Sequence, residues 1–205
     1  MNPFLHGVLM ALPIALSVSP GFVALFQTSI VRGVNAGMVL VTGILISDLI
    51  LISISYLGLS HLTVKGHSLT LGIIAGLILI TSGTISIFRK PSTPLNSAKN
   101  TSDLHGRLSV ILVRGFLVNI ANPFVLIFWL GVMGFAASNY GMHSYGFFVF
   151  FLGLILTSFS SDLMKCYLSG HFKKILTNRT IAILNKVMGV IFIAIGIFII
   201  CKVMI

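Results

Sequence analysis

The sequence predicts an all-α membrane protein with six transmembrane helices arranged as an inverted 3+3 repeat, in which helices one and four are broken at a proline. Three observations lead to this fold class. The chain is too apolar for a soluble domain, one polar stretch divides it into two apolar halves, and each half contains a similar proline phrase.

The composition indicates a membrane protein. Of 205 residues, 57% are hydrophobic and 8% are charged, whereas about 25% of the residues in a soluble domain are charged. Residues 33–64 contain one charge, Asp48, and residues 115–161 contain none, so both stretches exceed the about 20 apolar residues that cross a bilayer. Residues 1–31 have no basic n-region and no A-x-A-like cleavage site. They are therefore predicted to be a retained span and not a removable signal peptide.

Six spans follow from the apolar blocks. They are predicted near residues 4–31, 35–60, 69–88, 110–137, 145–169 and 181–202. The stretch RKPSTPLNSAKNTSDLHGR at 89–107 has the prolines, small polar residues and mixed charges of a solvated linker. The predicted organisation is a first three-helix repeat (1–88), a cytoplasmic linker (89–109) and a second three-helix repeat (110–205).

The chain has a net charge of +10. Its basic residues lie mainly between the apolar blocks and form no basic helix that would suit nucleic acid. With the N-terminus outside, the inward loops and span ends hold nearly all the basic residues: Arg32, Arg89, Lys90, Lys99, Arg107, Arg114, Lys173, Lys174, Arg179 and Lys186. The outward side holds Lys65 and, near the C-terminus, Lys202. The positive-inside rule therefore predicts that both termini are extracytoplasmic.

The two halves resemble each other in two places. SPGFVALF at 19–26 matches NPFVLIFW at 122–129, and SDL at 47–49 matches SDL at 161–163. Because three spans is an odd number, the second half must enter the membrane from the opposite side. This indicates an inverted-topology repeat, the plan of many secondary transporters.

The paired prolines suggest an anion site. Where a proline breaks a membrane helix, the following residues start a half-helix whose free N–H groups and dipole favour a negative charge. Ser19 and Asn122 are good N-cap residues for half-helices that start at Pro20 and Pro123. We expect a substrate carboxylate there, with contacts from Ser19, Gly21 and Asn122. The alternative is that the two prolines only kink their helices for packing.

The charged residues within the spans that could carry chemistry are Asp48, Asp162 and Lys165, whereas Arg114 and Lys186 lie at span ends. A lone aspartate in a span costs about 2.5–3.5 kcal/mol on insertion scales, so Asp48 should face a cavity or a partner. Asp48 could hold a substrate ammonium or a coupling proton; alternatively it is protonated, or hydrogen-bonded between helices, to Ser47 or Ser53. Asp162 and Lys165 are one helical turn apart and within reach, either as a pair that neutralises itself or as one that opens during transport.

Other chemistry has little support. No cluster has metal-ligand spacing, and there is no Ser-His-Asp set or phosphate-binding glycine loop. We therefore predict no metal, no cofactor and no enzyme activity. The glycines include two spacings of four, 33/37 and 72/76, which indicate close helix packing and would also allow a homodimer. Trp129 is assigned to packing.

Four stretches resemble the lysine-exporter (LysE/RhtB) family of bacterial amino-acid exporters. They are SVSPGF with RGVNAGMVLVTGILISD (17–22 and 32–48), YLGLSHL (56–62), RGFLVNIANPFVLIFWLGV (114–132) and LNKVMGVIFIAIG (184–196). Asp162 matches an acid often found in the family's fifth span, and Asn119 falls in its Asn…Asn-Pro segment. The chain departs from the family pattern at Phe22 (usually proline), Ser47 (glycine), Phe124 (often lysine) and Ile78 (often tyrosine).

The resemblance implies a proton-coupled exporter of amino acids or related small metabolites in the bacterial cytoplasmic membrane. Its expected partners are a small-molecule substrate, protons and the lipid bilayer. Two alternatives to this function stay open at this point. One is a passive channel, or an exporter of a substrate that is not an amino acid. The other is a thiol-electron carrier, for which Cys166 and Cys201 do not fall at repeat-related positions.

Overall fold

The structure is a computed structural model that describes residues 2–16, 19–62, 68–88, 108–172 and 178–204. The described residues form eight helices: α1 (Pro3–Leu16), α2 (Pro20–Arg32), α3 (Val34–Leu62), α4 (Ser68–Phe88), α5 (Leu108–Ile120), α6 (Pro123–Tyr140), α7 (Tyr145–Phe172) and α8 (Asn178–Met204). Most of the predicted linker, including Asp103, and the predicted outward Lys65 lie outside the described residues.

The predicted breaks at the two prolines are present. The axis turns by 76° between α1 and α2, and by 66° between α5 and α6. Each proline is the first residue of the second helix of its pair, where its missing N–H costs no hydrogen bond. Both of these short helices end at a glycine with positive φ, Gly33 (87°) and Gly141 (77°), a conformation that residues with a Cβ rarely adopt.

The membrane character is also confirmed. Within α3 and α7, residues Val34–Gly58 and Tyr145–Gly170 are each long and apolar enough to span a bilayer, and each bent pair would supply one further span. In α4 and α8 the apolar stretches that the structure describes are shorter, Gly76–Phe88 and Gly189–Phe198. The total of six spans stays a prediction.

Helices pair across the two halves of the chain: α1 packs on α7, α3 on α5, and α4 on α8. Glycine makes each contact close, because a Cβ at Gly43 or Gly115 would overlap a backbone carbonyl oxygen of the facing helix. Gly76 meets Gly196, and Gly83 meets Gly189, in the same way. For the predicted spacings, close packing within one chain is confirmed at Gly37 and Gly76. Gly33 instead meets nothing within 4 Å and serves the turn between α2 and α3 with its positive φ, and the surroundings of Gly72 lie outside the described part.

Candidate functional site: a closed polar cavity at the first helix break

The cavity lies where the break between α1 and α2 meets α3, α5 and α7, and it has a volume of about 40 Å³. A smaller space of about 10 Å³ continues from it between α3, α6 and α7. The structure brings six of the nine predicted site residues into the lining of the larger space: Ser19, Gly21, Asp48, Asn119, Asp162 and Lys165. These residues come from four helices and from both halves of the chain.

Asp48 is buried, with 9% of its surface exposed. Its Oδ1 accepts hydrogen bonds from Asn119 Nδ2 (2.8 Å) and from Trp129 Nε1 (3.0 Å). Both donors are neutral, and no Lys or Arg of the described ranges forms an ion pair with Asp48. Oδ2 receives no hydrogen bond from the part of the chain that the structure describes. A buried carboxylate in this state is suited to a cation or a proton.

The hydrogen bonds of Asp48 differ from those considered from the sequence. The hydroxyl of Ser53 donates to the carbonyl of Leu49 (2.8 Å). Ser47 Oγ accepts from Asn119 Nδ2 (3.2 Å), so it belongs to the same network without bonding the carboxylate. Asn119 therefore ties α5 to α3 through both residues.

Trp129 is a site residue that the sequence did not reveal as one. It is fully buried in an aromatic cluster, as its assignment to packing requires, but its indole N–H is used by Asp48. A signal was available, because a buried tryptophan N–H usually finds a hydrogen-bond partner. Asp48 is the one carboxylate between residues 33 and 64, where few other strong acceptors exist.

Asp162 and Lys165 form the predicted ion pair on α7, with 2.7 Å between Lys165 Nζ and Asp162 Oδ1. The ammonium also lies 5.8 Å from the centre of the Phe22 ring, at the start of α2. This distance suits a cation–π interaction. Lys165 thus places a positive charge beside the first half-helix start.

The two half-helix starts differ. Ser19 Oγ accepts from the N–H of Phe22 (3.2 Å), and Ser19 and Gly21 both line the cavity. Asn122 caps its helix in a similar way, accepting from the N–H of Phe124 (3.2 Å). However, neither Pro20 nor Asn122 is among the lining residues that the structure describes, and the side chain of Pro123 is outside the described part.

The Phe124 side chain at the start of α6 packs against α8. The Phe124 ring stacks on Phe192 of α8, with 4.3 Å between ring centres and an interplanar angle of 16°. The residue that stands where the lysine-exporter pattern often has a lysine therefore packs against another helix. Ser19, Gly21 and Phe22 at the α2 start line the cavity, whereas Val125 is the described lining residue from α6.

Packed residues flank the cavity on both sides along α3. Beyond Asp48 in chain direction lies the aromatic cluster, which we define as Trp129, Phe147, Phe150 and Phe151. On the other side lies a small-residue layer, defined as Thr28, Ser29, Gly37 and Cys166. A Cβ at Gly37 would overlap Ser29 Oγ and come within 3.0 Å of Cys166 Sγ. The aromatic cluster combines residues of α6 and α7, and the small-residue layer combines residues of α2, α3 and α7.

Helices that break around a buried polar cavity, with ionisable side chains near the middle of long apolar helices, define a membrane transport protein. A comparison with protein families supports this class. The model of the LysE type translocator family matches residues 12–203, and the chain belongs to that family. It is therefore a transporter and not an enzyme.

One relative is similar over nearly the full chain. It is the "Putative amino acid efflux protein YcgF" of Bacillus subtilis (strain 168), which is 21% identical over 202 residues that cover 97% of this chain and 95% of the relative. No solved structure matches the chain.

Proposed function

We propose that the protein is a secondary active transporter that exports amino acids or related small metabolites. The observation that carries this proposal is the charge arrangement in the cavity: the α2 start and Lys165 favour a carboxylate, whereas Asp48 favours an ammonium group. An amino-acid zwitterion has both groups. The relative described as an amino acid efflux protein supports the same substrate class and direction.

The substrate carboxylate would bind at the α2 start, beside Ser19, Gly21 and Lys165. Here our expectation is narrower than the one from the sequence, because Ser19, Gly21 and Lys165 line the cavity while Asn122 is not among its described lining residues. The role of Asn122 and Pro123 is then to hold the break between α5 and α6. Asn119 would position the Asp48 carboxylate.

The inverted repeat gives this transporter a route to alternating access. The closest glycine contacts support the repeat: Gly7 meets the carbonyl of Phe150, just as Gly115 meets that of Leu40. Gly7 and Gly115 are 108 positions apart, and Leu40 and Phe150 are 110 positions apart. Gly43 and Gly153, also 110 apart, each meet a carbonyl oxygen of the facing helix in the same reciprocal manner. In such a repeat the two halves can exchange their conformations, so that the cavity opens inward in one state and outward in the other.

In this register the two SDL phrases do not correspond. With a shift of 110 between α3 and α7, Asp48 corresponds to Ser158, and Asp162 lies one helical turn further along α7. Asp162 and Lys165 would therefore be a separate element that opens when Asp48 binds substrate or a proton. Proton antiport would follow if the substrate ammonium group and a proton compete for Asp48.

The proposed location is the bacterial cytoplasmic membrane, with both termini extracytoplasmic. In that orientation the small-residue layer is the cytoplasmic barrier and the aromatic cluster is the outer barrier, because Arg32 and the basic linker lie on the cytoplasmic side. The aromatic cluster is buried and the small-residue layer has no space for a Cβ at Gly37, so this structure would represent an occluded state. A homodimer stays a prediction.

The test is Asp48→Asn. The metabolites in the medium of cells that contain the wild-type protein are compared with those of cells that contain the variant or no transporter. We expect the exported compound to fall to the level of cells without transporter, because the amide cannot take up a proton or neutralise an ammonium group. Ser53→Ala is the matched control, since its hydroxyl bonds only to its own helix.

Unchanged efflux in cells with Asp48→Asn would overturn the proposal. Proteoliposomes separate the transporter from a passive channel. An antiporter moves the exported compound against its gradient when a pH gradient is imposed, whereas a channel gives the same flux with and without it.

A further inference from the structure

Ser158 on α7 has a hydroxyl group for which the described residues provide no partner. It lines both spaces of the cavity together with Asp48 and Asp162, and its Oγ is buried. The neighbouring hydroxyls of Thr157 and Ser161 each donate to a backbone carbonyl oxygen, at 2.7 and 3.5 Å. A buried polar atom without a partner costs free energy that a bound ligand can recover.

The position of Ser158 provides a second reason. In the glycine register of the proposed repeat, Ser158 on α7 corresponds to Asp48 on α3. The two side chains therefore approach the same space from two related helices. Asp162 lines the same two spaces as Asp48 and Ser158.

We propose that Asp48 Oδ2, Ser158 Oγ and Asp162 form a subsite for a primary ammonium group, in which Ser158 is a ligand-contacting residue. A primary ammonium has three N–H donors, and these residues supply oxygen acceptors from two helices. Counting Lys165, the cavity has a formal charge of −1, so one ammonium group neutralises it. This inference rests on the proposed function, because the substrate carboxylate would lie on the opposite side, at Ser19 and Lys165.

The subsite would select against methylated nitrogen. A trimethylammonium group carries the same charge but has no N–H to donate, so it would leave Asp48 and Ser158 desolvated and without hydrogen bonds. The remaining walls near Ser158 are apolar, from Ile44, Ile155 and Phe159. Water therefore enters this space poorly and does not readily replace a missing N–H donor of the ligand. The predicted substrate class is a compound with a free primary amine.

The experiment uses purified full-length protein in detergent and radiolabelled methylammonium as the probe. Binding is measured by equilibrium dialysis, and the fluorescence of Trp129, the single tryptophan of the chain, is a second readout beside Asp48. We expect Ser158→Ala to raise the dissociation constant about tenfold, as expected for one hydrogen bond to a charged group. Ser158→Thr keeps the hydroxyl and should retain most of the affinity.

Ser161→Ala is the matched control, one turn further along α7, and should bind methylammonium as the wild type does. Size-exclusion chromatography verifies that each variant is folded. The proposal is wrong if wild-type protein does not bind methylammonium, if Ser158→Ala binds it with unchanged affinity, or if tetramethylammonium competes equally well. Because this assay requires no transport, methylammonium binding without any exported compound in the medium would count against the exporter alone.

Discussion

Asp48 is held by two donors that come from opposite sides of a helix break. Asn119 is near the end of α5 and Trp129 is in the second turn of α6, so the carboxylate fixes the 66° bend between them. Neither donor supplies a positive charge. A proton or an ammonium group on Asp48 would therefore change the hydrogen bonds that hold the bend. At the residue scale, this links occupancy of the site to the shape of the fold.

Trp129→Phe tests this link. The substitution keeps an aromatic ring in the cluster but removes the hydrogen bond to Asp48, so we expect the free energy of unfolding to fall by roughly 1 kcal/mol. Thermal unfolding followed by circular dichroism measures the change. In an Asp48→Asn background the cost should be clearly smaller, because the acceptor is no longer charged. Equal costs in both backgrounds would show that the indole matters for packing alone.

Close helix pairs hold the two halves of the molecule together at the element scale. α3 and α5 approach closely because a glycine on each helix meets the backbone of the other. Such contacts are stabilised mainly by van der Waals packing, since lipid provides no hydrophobic force between helices. Because the contact leaves no space for a Cβ atom, a single added methyl group must push the two helices apart.

Gly115→Ala should therefore lower the stability of the protein by about 1–3 kcal/mol, a typical cost of overpacking. The added methyl group would overlap the carbonyl oxygen of Leu40. The thermal midpoint and the monodisperse yield from size-exclusion chromatography measure the effect. Gly131→Ala in α6 is the control, because a Cβ there meets nothing within 4 Å. If both variants lose the same stability, close approach of α3 and α5 is not the cause.

At the scale of the whole molecule, the cavity lies between two barriers that differ in chemistry. The aromatic cluster is large and apolar, and next to it His6 Nδ1 bonds to the hydroxyl of Tyr140, while His143 Nδ1 bonds to that of Tyr56 (3.2 Å). The small-residue layer is neutral and closely packed. Barriers of this kind can open by small movements of α2 and α7 against α3.

Cys166 reports on the small-residue layer, because it is fully buried there while Cys201 is exposed. In a Cys201→Ser protein, we expect slow labelling of Cys166 by maleimide. Gly37→Ala should raise the labelling rate several-fold, since its Cβ would overlap Ser29 Oγ and push α2 away from α3. Mass spectrometry measures the labelled fraction, with Gly134→Ala as the control. Fast labelling before the substitution would mean that the layer is open.

Some of these features could be predicted because they are local in the chain. The break before Pro20 and its cap by Ser19 depend on neighbouring residues, and the Asp162–Lys165 pair on a spacing of three. Hydropathy identified α3 and α7 because an apolar stretch of sufficient length has few alternatives to a membrane span. The position of Asp48 within such a stretch was enough to predict that it needs a cavity or a partner.

The sequence by itself thus determined the membrane class, the two broken helices and six residues of the cavity. Only the tertiary structure decided which groups contact Asp48, because Asn119 and Trp129 are 71 and 81 residues away along the chain. It also decided that Ser19, Gly21 and Phe22 of the α2 start line the cavity, whereas Phe124 of the α6 start stacks on Phe192. The physical reason is that caps and spans depend on local backbone geometry and hydropathy, whereas the choice of partner depends on which helices pack together.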